Sequence, residues 1–200
     1  LEFGTDEIRR NFLEPMVAGK AISSYGMTEP GHGGSFPSLI STMAQLENGS
    51  WSINGRKWFV GNADRATFVT VLARTAKEDV PPGKALSMIL FPTDSPGYKV
   101  ERQIKVLGRC LGQGEISFTE VRVPECNLLG SPGSGTDLMR QRLRRGRLLR
   151  SMNWVGLAQR CFDLMGARIN SGRGLSARLP EKQLVRQHLA LTFVQPYHRR

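Results

Sequence analysis

The chain has 200 residues, 40% of them apolar, and a formal net charge of +11, enough for one or two domains with a core of their own. No apolar run reaches the ~20 residues that a membrane span needs, and the first residues lack the basic start and apolar stretch of a signal peptide. Three cysteines and three histidines, all widely spaced, exclude a disulfide framework and a metal constellation and suit a reducing compartment, the cytosol or the mitochondrial matrix.

Residues 5–18 read as a short helix. Thr5 caps it, Asp6 and Glu7 suit its positive end, and Ile8, Phe12 and Leu13 share a face. Pro15 and Gly19 are expected to close it. From Ile22 to Leu129 the pattern changes to short strands, at 41–47, 56–60, 67–74, 86–91, 98–106 and 114–123. Trp51 and Ile53 alternate with Ser50 and Ser52 between two turn signals, Asn48-Gly49 and Asn54-Gly55. Other breaks fall at Asp64-Arg65, Pro81-Pro82-Gly83, Ser95-Pro96-Gly97 and Gly112-Gln113-Gly114. Such a series predicts an antiparallel β-sandwich or barrel. A Pro132 to Gly135 linker leads to a long helix from Thr136 that frays at 171–174. A second helix starts near Pro180 and carries Leu184, Leu189, Leu191 and Phe193, with Pro196 and a basic end stopping it. The chain starts without Met, as expected of a fragment.

The charge is unevenly placed. Residues 1–130 hold 14 basic and 14 acidic side chains, whereas 131–200 hold 14 basic against 3 acidic. Arg140, Arg142, Arg144, Arg145, Arg147 and Arg150 form the densest stretch. Such a stripe can grip phosphates, but no aromatics interleave with it and no nucleic-acid motif accompanies it, so no nucleic-acid partner is expected.

Residues 25–35, Tyr-Gly-Met-Thr-Glu-Pro-Gly-His-Gly-Gly-Ser, are the most informative segment. A Gly-rich bend of this kind forms either a surface turn or an anion-binding concavity of backbone N–H groups, with Thr28 and Ser35 adding hydroxyls. Read with three later segments, it resembles the acyl-CoA dehydrogenase family. Asn54-Gly55-Arg56-Lys57-Trp58-Phe59-Val60-Gly61-Asn62 is similar to that family's NGxKxWITN strand, and Phe118 to Gly130 to its FEDVRVPxxNLLG segment. Gly146-Arg147 and Gly156-Leu157-Ala158-Gln159 match the first long helix of its C-terminal domain. The resemblance covers about residues 3–190.

The resemblance implies an α+β fold in three parts: the end of an N-terminal helical domain (1–21), a flavin-binding β-domain (22–130) and the first helices of a C-terminal bundle (131–200). It also implies FAD, an acyl-CoA substrate oxidised to the 2-enoyl thioester, an electron-acceptor flavoprotein and a homo-oligomer when full length. Carried over by position, the flavin contacts are Tyr25, Met27 through its backbone, Thr28 through its hydroxyl, Ser35 at the pyrophosphate, Phe59, Val60 and Gly61. Ser35 and Arg147 face the thioester ligand, and Gln183 holds the cofactor of a neighbouring subunit. His32 is read as a solvent-exposed loop residue.

Several positions depart from the family pattern. Gly61 stands where Thr or Ser donates to flavin N5, Phe59 replaces Trp, and Phe36 follows Ser35 where Asp is common. Gly172 falls where a phosphate-binding arginine is usual, with Arg173 beside it, and Leu175 replaces an aromatic. The catalytic carboxylate lies beyond this stretch in most members, and in a few on the helix at the position of Gly146. No catalytic residue is therefore assigned, and the chain alone is expected to be inactive. The alternative reading is a non-catalytic module that keeps the β-domain as a binding or assembly surface. A flavin oxidase or monooxygenase using the same face is a further alternative.

Overall fold

A computed structural model of the chain describes residues 2–31, 36–76, 80–173 and 178–198, without the side chains of 82 and 195–198. The fold is mixed α+β. It divides into two compact units, Leu1–Arg140 and Gln141–Arg200.

The first unit opens with helix α1 (Asp6–Ile8), a π-helical turn (Arg9–Leu13) and α2 (Glu14–Val17). The Ile8 N–H donates to the Thr5 hydroxyl at 3.2 Å, the cap expected from sequence. Pro15 does not close the helix: it occupies the start of α2. The π-helical turn before it widens the ladder, with the Glu14 N–H reaching back to Arg9 O, so the helix passes the proline and ends at Gly19 (φ +70°). Thr5→Ala should cost about 1 kcal/mol in urea unfolding, the usual effect of losing such a cap; no loss would show that the first turn is held by packing alone.

Eight strands follow: β1 (Ser23–Gly26), β2 (Met43–Glu47), β3 (Ser50–Gly61), β4 (Phe68–Arg74), β5 (Leu86–Pro92), β6 (Tyr98–Val106), β7 (Arg109–Pro124) and β8 (Leu128–Leu129). Their order is β6-β7-β3-β2-β4-β5-β8, and β1 pairs with β4 off that path. All neighbours are antiparallel except β1 with β4 and a single parallel pairing, Met43 with Arg74, between β2 and β4.

Two turn expectations fail. Asn48-Gly49 does make the β2–β3 hairpin, both residues having positive φ. Asn54-Gly55, however, lies inside β3, which continues to Gly61. There the Asn54 side chain accepts from the Glu120 N–H at 2.9 Å, so its polar group serves a bulge in the neighbouring strand. Likewise β7 runs through Gly112-Gln113-Gly114, and the hairpin turn falls at Leu107-Gly108 (φ +49° and +78°).

The sheet must fold over on itself. Along the path, β7 and β5 are four steps apart, about 19 Å if the sheet were flat. Yet the Phe118 and Phe91 rings lie 5.8 Å apart, edge to face. Ile53, Val69, Val71, Ile89, Phe91, Ile116, Phe118 and Val121 accordingly form one buried core between the inner faces. On the outer face of β4 and β5, Phe68 and Leu90 pack against Ile8 and Phe12 of the N-terminal helix. β4 and β5 are thus covered on both sides, which is why Phe68–Arg74 reads as a nearly continuous apolar run.

Helix α3 spans Gly135–Asn170. A 3-10 turn at Leu179–Glu181 with Pro180 near its start leads to α4 (Gln183–His198), which carries on through position 196. Within the second unit the Phe162 and Phe193 rings pack at a tilt, their centroids 5.6 Å apart. Leu148, Leu149, Met152, Trp154 and Leu157 on α3 are exposed.

Candidate functional site

The two motifs of the first unit meet through a buried carboxylate. Glu29, the acid of Thr28-Glu29-Pro30, is 5% exposed, and Lys57 of β3 is fully buried. Glu29 Oε1 accepts from Lys57 Nζ (2.9 Å), the Thr42 hydroxyl (2.6 Å) and the Thr42 N–H (2.9 Å). Its Oε2 accepts from the Ser41 hydroxyl (2.6 Å) and the Ser41 N–H (2.7 Å). Lys57 Nζ also donates to Met27 O at 3.1 Å. Burial alone would raise the Glu29 pKa, but the Lys57 ammonium and the Ser41 and Thr42 donors outweigh it and hold the carboxyl at about 2. Burial brings Lys57 down to about 8, with Glu29 opposing that shift, so both groups are charged at neutral pH.

Glycines make room for this pair. A Cβ on Gly26 would lie 3.0 Å from Lys57 Cγ, so the lysine stem passes directly beneath β1. A Cβ on Gly55 (φ +149°) would lie 2.8 Å from the Thr42 backbone, which brings Thr42 within reach of Glu29.

Immediately after Lys57, β3 bulges. Lys57 pairs with Ile116 and Val60 with Gly114, so β3 spends three residues where β7 spends two. The extra residue reverses the facing of the strand beyond it. Val60 turns into the core with no exposure, while Phe59 takes φ +55° and is 46% exposed. A bulky side chain in the left-handed region is a strained arrangement. The Trp58 and Phe59 rings meet edge-on at 4.8 Å. Arg102 lies over the Trp58 ring at 5.7 Å while donating to buried Glu115 at 2.8 Å, and Arg56 approaches the other oxygen of Glu115 at 2.6 Å. The Trp58 N–H donates to Thr28 O at 2.8 Å, joining the two segments directly.

Among the described residues, the structure brings the segment holding Tyr25, Met27 and Thr28 beside the segment holding Phe59, Val60 and Gly61. Tyr25, opposite Thr70 on β1, and Met27 and Thr28 beyond it are half-buried, and the Phe59–Gly61 edge lies across the Trp58 link. Val60 presents only backbone there, since its side chain belongs to the core. Gly61 is exposed, with open space where a Cβ would stand. Ser35 and His32 fall outside the described residues, as does Leu175. Arg147 and Gln183 belong to the second unit. Arg147 is exposed on α3, where it lines a surface cavity of about 400 Å³ with Arg142, Leu143, Gly146 and Arg150, and Gln183 is the exposed first residue of α4. A cavity of about 310 Å³ between the N-terminal helix and β4–β5, with Asp6, Arg9 and Thr70 among its apolar lining, includes none of the predicted site residues. Among the described residues, no group of three or more His, Cys, Asp or Glu side chains is placed to hold a metal, and no helix is long and apolar enough to cross a membrane. Cys110, Cys126 and Cys161 are free thiols.

Glu29, Lys57, Ser41 and Thr42 carry no role in the reading of the sequence alone. The available signal was strand alternation: Trp51, Ile53, Gly55 and Lys57 fall on one parity, which places a lysine on the buried face and requires a carboxylate partner.

Comparison with known proteins gives a consistent result. The family model described as acyl-CoA dehydrogenase, middle domain, matches residues 24–121, and that described as acyl-CoA dehydrogenase, C-terminal domain, matches 133–195. The chain is 36% identical over 192 residues to the probable acyl-CoA dehydrogenase FadE2 of Mycobacterium tuberculosis, covering 94% of this chain and 47% of that protein. It is 33% identical to acyl-CoA dehydrogenase family member 11 of Homo sapiens, covering 94% of this chain and 25% of the relative. The crystal structure of a probable acyl-CoA dehydrogenase from Mycobacterium abscessus superposes with a TM-score of 0.86 at 32% identity, over 98% of this chain and 51% of that one. The chain thus spans between a quarter and about half of the length of the curated relatives named here.

Proposed function

The chain belongs to the acyl-CoA dehydrogenase family, whose members are flavoprotein oxidoreductases, and we propose that it forms the FAD-holding face of an enzyme that oxidises an acyl-CoA thioester to the 2-enoyl-CoA. The observation that carries this reading is the joined edge of residues 27–28 and 58–61. A half-buried polar segment and an exposed, strained aromatic bulge are locked side by side by the Trp58–Thr28 hydrogen bond and the Lys57–Met27 hydrogen bond. That edge fits a flat ring with polar margins: Phe59 offers an aromatic surface, Thr28 a hydroxyl, and Gly61 open backbone.

Bound FAD would supply the acceptor for the hydride from the β-carbon. The chain's part is to hold and orient. Met27 and Thr28 meet one margin of the ring, Phe59 and the backbone of Val60 and Gly61 the other, and Ser35 the pyrophosphate and the thioester ligand. Arg147 serves the CoA side, and Gln183 the cofactor of a neighbouring subunit in a homo-oligomer. Proton removal needs a carboxylate within hydrogen-bond reach. Gly146 provides none, so the base is assigned to a part of the protein outside these residues, and the chain alone is expected not to turn over. Reoxidation is assigned to an electron-acceptor flavoprotein. The free thiols fit the cytosol or the mitochondrial matrix. The glycines at 61, 146 and 172 favour a second reading, a binding module without catalysis.

Titration of the purified chain with FAD, followed by flavin absorbance and fluorescence, tests the proposal. Retained flavin supports it, anaerobic bleaching by an acyl-CoA in a longer version carrying the base completes it, and a chain that never retains flavin refutes it. Gly61→Ser refines the test. Because its Cβ enters open space, stability should change by less than ~0.5 kcal/mol. The restored donor should speed flavin reduction about tenfold or more in the longer protein. An unchanged rate would show that a backbone N–H already fills that role.

A further inference from the structure

We propose that the buried Glu29–Lys57 pair is a positioning device that holds the two margins of the flavin face, residues 27–28 and 58–61, at a fixed separation. The inference rests on the flavin reading above, but the clamp itself is argued from contacts within the first unit.

The pair occupies both motifs next to the residues assigned to the cofactor. Glu29 follows Met27-Thr28, and Lys57 precedes Trp58 to Gly61. Its hydrogen bonds lead to the same places. Lys57 Nζ holds Met27 O, and the next residue's N–H holds Thr28 O, so two consecutive carbonyls of one margin are tied to two consecutive residues of the other. Ser41 and Thr42 supply four donors to Glu29, so the carboxylate is anchored to the start of β2 and has little freedom to rotate. Gly26 admits the lysine stem under β1 with no room to spare. The β3 bulge begins directly after this anchored lysine, so the depth of Lys57 sets where Phe59 leaves the strand.

Stability is a poor explanation for such a pair, since buried ion pairs replaced by apolar residues of similar volume are often no less stable. Positional specificity is the better one. A second-site effect on the cofactor then distinguishes the two roles.

The test compares Lys57→Met, Glu29→Gln and the double variant in the full chain, with FAD as the titrant. Lys57→Met strands a carboxylate and should lose both stability and FAD affinity. The double variant removes both charges and should regain most of the stability, while FAD binding stays about tenfold weaker than in the unsubstituted chain. FAD affinity that recovers in step with stability would overturn the proposal and leave the pair a structural element only. A second measurement needs neither variant nor cofactor. In native-state amide exchange, the Ser41 and Thr42 amides, bonded to Glu29, and the Trp58 amide, bonded to Thr28, should open with one common free energy. Unequal values would overturn the clamp. An unsubstituted chain that takes up no FAD refutes the flavin reading, and the exchange result then decides the clamp on its own.

Discussion

Replacing Lys57 with methionine is expected to destabilise the protein by about 3–5 kcal/mol at pH 7, because the Glu29 carboxylate remains buried without its counter-charge. Few surface charges in this chain compare with it. Lys99–Glu101 and Arg140–Asp137 are solvent-exposed pairs, and such pairs contribute at most about 1 kcal/mol. The pH dependence identifies which partner contributes. Glu29 titrates at about 2 in the folded chain against an ordinary 4.5, so between those values the unfolded chain binds the extra proton. Its stabilisation is fully present above 4.5 and lost as the pH falls toward 2, about 3 kcal/mol over that window. Lys57, held at about 8 against 10.5, carries a cost at neutral pH that shrinks as pH rises through 8 to 10.5. Urea unfolding between pH 2 and 7, followed by tryptophan fluorescence, should show Glu29→Gln losing one proton's worth of slope in the acid window. An unchanged slope would mean that the carboxylate is hydrated in the folded protein.

The long elements were legible because their signals are local. Strand 98–106 falls where the sequence reading puts it, directly after the Ser95-Pro96-Gly97 break, and Thr5 caps the first helix as its residue type suggests. What escaped was decided by distant neighbours. Asn54-Gly55 has the composition of a hairpin turn, but β7 lies alongside, and Asn54 spends its side chain on the Glu120 amide. A turn at that point also hides the site. With β3 broken at 54–55, the parity linking Ile53 to Lys57 is cut, and nothing local marks the lysine as buried. The partner, Glu29, lies 28 positions away in the sequence, and no periodicity reaches that far. The family motifs single out both segments; only packing reveals that the acid of one motif neutralises the base of the other.

Gly55→Ala is the second large effect, and it tests the same junction from outside the charges. An alanine there must adopt φ near +149°, a region essentially closed to residues with a Cβ. Its methyl would stand 2.5 Å from Thr42 Oγ1 and 2.8 Å from Thr42 Cα, and backbone cannot swing aside as a flexible side chain can. Strain and displacement together should cost about 3 kcal/mol or more. The displaced residue is Thr42, whose hydroxyl and N–H both donate to Glu29 Oε1, so the damage should pass to the ion pair and then to Met27. FAD retention should fall with it, although Gly55 is assigned no cofactor contact. The same substitution at Gly61, six residues along the strand, meets open space at an ordinary φ and should change stability by less than ~1 kcal/mol. Chemical unfolding of the two variants side by side decides the matter. If Gly55→Ala proved as mild as Gly61→Ala, β2 and β3 would have room to separate, and the close approach that brings Thr42 to the carboxylate would not be what holds the two motifs together.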